Sequence, residues 1–183
     1  KKGATDVEVG IIKSTAETVS FRNKKLDESD RSENIGLSLT AYINKKKNSV
    51  LSSNLKTDNL EKLIERCVEA AKITPEDEFN SLPDEELFFK NSDELDLFDE
   101  THIENNQKID YLKEAEEVAF KNKEIVNTNG SSFSESKTEV VLGNSKGFKN
   151  GYNTSNFTAY CEVVSKINGS MERDYEYTSK RHF

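Results

Sequence analysis

Few side chains in this sequence have the chemistry to make or break a covalent bond. It holds two histidines and two cysteines in 183 residues. His102 lies near Asp99 and Glu100, a grouping that could ligate a metal, but a single histidine ahead of a helix more often caps it or faces water. The other, His182, sits at an end expected to fray. Cys67 and Cys161 are far apart and form no CxxC or Cys/His cluster, so neither a zinc site nor a disulfide framework is indicated. A reducing cytoplasm is the plainest setting for such thiols. The motifs that concentrate catalytic groups are also missing: there is no HExxH, no glycine-rich phosphate loop and no Gly-x-Ser-x-Gly elbow. From the residues alone the catalytic, cofactor-binding and metal-ligating sets are each expected to be empty.

Charge narrows the partners. The net charge is −8, and it is concentrated in residues 74–100, where eleven acids face Lys90 alone. Nucleic acid demands clustered Lys or Arg, and the only such run, Lys45-Lys46-Lys47, reads as a solvated hairpin turn. No stretch approaches the roughly 20 apolar residues needed to cross a bilayer. Neither nucleic acid nor membrane is therefore expected as a partner. The acidic stretch lacks an Asp-x-Asp-x-Asp-Gly loop, so a solvated face explains it better than a calcium or magnesium site. Its interspersed Phe79, Leu82, Leu87, Phe88, Phe89, Leu95, Leu97 and Phe98 suggest an irregular strap pinned to the body by apolar side chains.

The elements around these residues alternate in a readable way. Val7, Val9 and Ile11, then Val19 and Phe21 after a break near Ser14-Thr15, read as a strand hairpin. Residues 24–34 read as a charged connection. Residues 35–43 follow with period two, Ile35, Leu37, Leu39, Ala41 and Ile43 sharing one face. A turn over 45–48 leads to a return strand around Val50. A first helix opens at Thr57 as N-cap and carries Leu60, Leu63, Ile64, Cys67 and Ala71 on one stripe. It should stop before Thr74-Pro75. A second helix over 105–123 has Ile109, Leu112, Ala115 and Ala119 as its stripe, with Val118 beside them.

Residues 127–177 then read as an antiparallel meander, with turns at Asn129-Gly130, 144–147 and Asn168-Gly169 and a break at Gly151. Phe157, Ala159, Cys161, Val163 and Ile167 share its inner face, so Cys161, like Cys67, reads as core. In the last strand Arg173 falls beside Met171, Tyr175 and Tyr177, where it either pairs with a carboxylate or lines a groove. Asn129, Asn153, Asn156 and Asn168 match the glycosylation pattern and are read instead as turn residues. Starting at Lys1 without a methionine and ending on 180–183 without a cap, the chain looks like part of something longer. The fold class expected is α+β, a single domain over 1–183, with a mostly antiparallel sheet of six or seven strands and two long helices packed on one face.

The segments NTNGSSF (127–133), GNSKG (143–147), Gly151-Tyr152 and MERDYEY (171–177) together resemble the N-terminal domain of the TldD/PmbA family. Upstream, residues 36–41, Ser52-Ser53 and LDLF (95–98) fit in order and spacing, and MERDY is closer to the PmbA branch, also called TldE. The resemblance implies a two-domain cytoplasmic protein of which this is the first half, pairing as a dimer with a TldD-type subunit or with itself. It implies a zinc metallopeptidase concerned with peptide maturation and degradation, and an older reading as a modulator of DNA gyrase. The zinc motif of the TldD branch lies downstream of this region, so no metal or catalytic residue carries over to any position here. Two functions follow as expectations: a non-catalytic PmbA-like subunit that helps hold an extended peptide, or a protein-interaction module without peptidase context.

Overall fold

In the computed structural model, which describes residues 2–90 and 95–183, the alternating segments pair into one six-stranded sheet. Its strands are β1 (Asp6–Arg22), β2 (Lys25–Ile43), β3 (Lys46–Ser52), β4 (Ile125–Asn144), β5 (Lys149–Ile167) and β6 (Ser170–Lys180), in the order β3-β2-β1-β4-β5-β6. Two helices, α1 (Thr57–Ile73) and α2 (Asn105–Ala119), complete the α+β architecture. The printed pairings are antiparallel, Leu39 facing Val50 between β2 and β3, and Tyr160 facing Tyr177 between β5 and β6. The chain divides into two compact units. The first comprises Lys1–Ser14, Asn34–Asp96 and Thr138–Asn153, the second Thr15–Glu33, Leu97–Lys137 and Thr154–Phe183.

In the first unit α1 covers β2 and β3 with an apolar stripe. Cys67, Val68 and Ala71 meet Leu39 and Ala41, flanked by Val9, Leu37, Ile43 and Val50. Leu60, Leu63 and Ile64, expected on that stripe, are only partly covered, and Val68 does the work in their place. The N-cap is Lys56 rather than Thr57, and it makes no side-chain cap bond. Asn54 accepts the Lys56 N–H instead, which ties the entry turn. The far end behaves as Pro75 dictates: Thr74 is already extended, with ψ 150°.

The acidic strap from 74 to 90 is held mainly through its backbone. Lys45 O accepts the Asp77 N–H and the Asn80 side chain, and Lys146 donates to Leu82 O and Pro83 O. Leu82 is buried, and the Phe88 ring packs on Phe148. Phe79 and Leu87, expected as pins, are 82% and 75% exposed; nothing in the structure explains their exposure. Residues 91–94 of the strap lie outside the described residues.

In the second unit Val19 and Phe21 of β1, Phe133 of β4 and Phe157 of β5 gather under Ile103 and Leu112. Burying each such aromatic stabilises the unit by about 1.5–3 kcal/mol. Helix α2 starts on a capping box between Glu104 and Gln107 and ends four residues earlier than its sequence period suggests. Val118, expected beside the stripe, is exposed. The chain end is not frayed. Phe183 sets its ring tilted or edge-on against Phe157, Phe133 and Tyr111 at 5.7, 6.2 and 5.8 Å, while Arg181 donates to Thr154.

Several expected breaks are absent. β1 runs unbroken through Ser14-Thr15, and residues 25–34 are strand, because the hairpin turns at Asn23-Lys24, both with positive φ (50° and 63°). The next turn falls at Asn44, φ 57°, so Lys46 and Lys47 belong to β3. Gly130 lies inside β4, where its φ of +125° would strain any side chain. Gly151 lies inside β5, since a Cβ there would come within 2.5 Å of Val140 O. Glycine marks a left-handed backbone at 130 and a close backbone approach at 151, not a strand end. Of the four glycosylation-pattern asparagines only Asn168 occupies a turn; Asn129, Asn153 and Asn156 are in strands.

Candidate functional site

The second unit builds an ionic cluster out of residues that share a face with its apolar core. Glu17 lies two residues before Val19 on β1, Glu135 two after Phe133 on β4, and Lys108 one turn before Leu112 on α2. Each therefore points inward. The Lys108 ammonium is fully buried and donates to Glu17 Oε2 at 3.0 Å and contacts Glu135 Oε2 at 3.2 Å. Arg31 pairs with the other oxygen of Glu17 at 3.1 Å, and Lys137 reaches Glu135 Oε1 at 3.4 Å. Glu135 also accepts the Ile103 N–H at 3.3 Å and lies 3.4 Å from His102 Nδ1.

Burial alone pushes the Glu135 carboxyl up, but the Ile103 N–H, Lys108 and His102 outweigh it and hold it below the ordinary range. His102 thus meets Glu135, not Asp99 and Glu100 as its position suggests. Asp99 is occupied by the Thr101 hydroxyl and by the Phe183 and Thr101 N–H groups, which bring it down to about 2. Glu100 contributes only its carbonyl, which accepts from Lys137.

Glu17, His102 and Glu135 place one ligating atom each within 4.8 Å of one another, the spacing of a three-ligand metal centre. The donor set does not fit a resident divalent ion, however. Two carboxylates already face Lys108, Lys137 and Arg31, so the formal charge with neutral histidine is positive before any metal arrives. A buried ammonium touching both carboxylates serves as the built-in counter-ion. No signal from sequence motifs marks this cluster; the clue available was charged residues at inward-facing positions.

The thiols supply no nucleophile. Cys67 is buried and donates to Asn48 O at 3.2 Å. Burial first, and then the charge of Glu116, pushes the half-buried Cys161 thiol up, away from the reactive thiolate. Cys161 is therefore less enclosed than its position on the inner face suggests.

The last strand presents a different kind of surface. β6 ends the sheet, all of its side chains are exposed, and Tyr175 and Tyr177 are each 60% accessible. Tyr175 packs near Tyr160 and Tyr177, with ring centroids 5.8 and 6.4 Å apart. The Tyr160 hydroxyl donates to Glu162 at 2.7 Å, a bond that pushes its own pKa up and disfavours its ionisation. Arg173 shares this aromatic face and, among the described residues, pairs with no carboxylate, so of its two expected roles the ion pair is absent. An exposed strand edge of this kind can hydrogen-bond an extended backbone while its side chains grip alternate residues.

Comparison with known proteins agrees with this architecture. The model of PmbA/TldA metallopeptidase domain 1 matches residues 7–71, and that of the PmbA/TldA metallopeptidase central domain matches residues 98–183. The chain belongs to the TldD/PmbA family, as its N-terminal region. Within that family its curated relatives carry the PmbA name. Metalloprotease PmbA of Escherichia coli O157:H7 is 30% identical over 95% of this chain and 39% of its own length. The Metalloprotease PmbA homolog of Haemophilus influenzae is 27% identical over 100% of this chain and 41% of its own length. The chain thus spans about two-fifths of the length of these relatives.

Solved structures show the same fold. A Bacteroides thetaiotaomicron protein described as a candidate modulator of DNA gyrase superposes with a TM-score of 0.88 at 21% identity, over 99% of this chain and 42% of that one. TldE from Thermococcus kodakarensis gives 0.74 at 17% identity, over 98% and 41%. No helix among the described residues is long and apolar enough to cross a membrane.

Proposed function

We propose that this chain is the N-terminal part of a PmbA/TldE-like subunit of a TldD/PmbA-type zinc metallopeptidase, active in peptide maturation and degradation in the cytoplasm. It contributes shape and surface, and its own residues supply neither catalysis nor zinc. The observation that carries this reading is the exposed β6 edge with its tyrosine face, in a unit whose buried ionisable groups are already satisfied by one another. An extended peptide, or a partner strand, finds backbone donors and acceptors there without any demand on sequence. The zinc belongs to a TldD-type partner subunit, and assembly is as a dimer with that subunit or with a second copy.

The test uses the full-length protein. It is expected to show no peptidase activity alone and to gain activity when mixed with a TldD-type subunit and zinc. Robust proteolysis by the lone protein would reject the reading, and retention of gyrase but not of a TldD-type subunit in a pull-down would favour the interaction-module alternative.

A further inference from the structure

The chain contains three Asn-Gly pairs, Asn129-Gly130, Asn150-Gly151 and Asn168-Gly169. The first two are tied by hydrogen bonds, at 150 by Asn150 Nδ2 donating to Phe89 O at 3.3 Å and the Gly151 N–H donating to Asn150 Oδ1 at 2.7 Å, and the third is not. This contrast goes beyond the proposed peptidase role. We infer that Asn168-Gly169, at the β5–β6 turn, is a site of spontaneous backbone modification through a cyclic imide.

The chemistry needs three things: a side-chain carboxamide free to swing, an unencumbered following N–H, and water. At 168 all three are present. Both residues are exposed and sit in the two-residue turn, with φ of 50° and 86°. The ladder closes by pairing Ile167 with Ser170, which leaves the Gly169 N–H outside it. Among the described residues the Asn168 side chain makes no hydrogen bond. With no Cβ, Gly169 offers no steric hindrance to attack.

At 129 the same dipeptide is tied down. The Asn129 amide donates to Glu162 Oε1 at 3.0 Å, which fixes the carboxamide. The Gly130 N–H donates to Thr128 Oγ1 at 3.0 Å, which occupies the would-be nucleophile. Thr128 is itself buried, its hydroxyl donating to Glu162 O at 2.9 Å. Asn129 is exposed too, so access of water does not distinguish the sites; hydrogen bonding does.

The reaction is balanced without any redox partner. The Gly169 amide nitrogen, losing its proton to base, attacks the Asn168 carboxamide carbon. The bond from that carbon to the side-chain nitrogen breaks, and ammonia leaves. Water then opens the five-membered imide at either carbonyl. One opening leaves an ordinary aspartate at position 168; the other routes the backbone through the side chain as isoaspartate. The latter adds a methylene to a two-residue loop whose positive φ values set the register of β6 against β5, so the edge strand loses its pairing from the turn outward.

The experiment is incubation of the full-length protein at mildly alkaline pH, followed by peptide mapping by mass spectrometry and enzymatic methyl labelling of isoaspartate. Conversion at 168 is expected to be roughly tenfold or more faster than at 129, to rise with pH, and to vanish in Asn168→Ser. Gly169→Ala, which hinders the attacking nitrogen, is expected to slow it while position 129 is unchanged. Equal rates at the two sites, or no conversion at 168 while a short peptide of the same residues converts fully, would overturn the inference.

Discussion

Helix α1 lays Cys67, Val68 and Ala71 against its strands, whereas α2 lays Lys108, Leu112 and Glu116 against its own. Both helices are of similar length and both are amphipathic, yet one buries only apolar atoms and Cys67, and the other buries a cation and an anion beside a leucine. The apolar contact is tolerant, since an apolar side chain of similar volume restores most of its stabilisation. The ionic contact is intolerant. Removing one member strands the others in a poorly solvated setting, where an unpaired charge costs more than the pair contributes. The second unit therefore trades tolerance for a single permitted arrangement of α2, β1 and β4.

The sharpest way to break this contrast is Lys108→Ala. It leaves Glu17 and Glu135 facing each other without their ammonium and should destabilise the protein by roughly 3–5 kcal/mol in denaturant unfolding. Replacing Glu17, Lys108 and Glu135 together by apolar residues of similar size should return most of that loss. If Lys108→Ala costs no more than an ordinary surface change, the cluster is not what orders the second unit.

A smaller effect is expected from Leu39→Ala in the first unit. It removes buried methyl groups without leaving a charge behind, at about 2–4 kcal/mol. Leu39→Met should be nearly neutral, a tolerance that Lys108 will not show toward Met unless its carboxylate partners change too.

Smaller still is the effect of acid, and its sign follows from the carboxyl groups. Glu135 is held below its ordinary value of 4.5, so its ionised form favours the fold. Its contribution is present above the unfolded value and is lost as pH falls through the lower folded one. Asp99, in the same unit, acts in the same direction between 3.8 and about 2. In the first unit the lowered Glu65 is in an exposed pair with Lys2, which solvent screens. Amide exchange measured at about pH 3 should therefore show the second unit loosening ahead of the first. Loss of protection in both units at the same pH would erase the distinction.

The apolar half of this comparison is legible in the sequence, because Leu39, Ala41, Cys67 and Ala71 keep strand and helix periods that no polar residue interrupts. The ionic half is not. Lys108 and Glu116 flank Leu112 by four residues on either side, and a stripe containing charges reads as solvated surface unless the partners are known. Those partners are 91 to 93 positions away along the chain for the contacts to Glu17 and Asn23. The same distance blindness turned Gly130 and Gly151 into apparent strand breaks, since the carbonyl that forbids a Cβ at 151 belongs to the neighbouring strand. The exposed β6 was visible as an alternating strand, but its place at the end of the sheet was not, because local pattern carries no strand order.

The buried Glu116 carboxylate accepts the N–H groups of both Asn23 and Lys24, at 3.1 and 2.9 Å. Two successive residues in a left-handed conformation, neither of them glycine, are costly for the β1–β2 bend to adopt by itself. The bend thus draws its acceptor from a helix that lies 93 and 92 residues further along the chain, so the corner of the first hairpin and the seating of α2 hold each other in place.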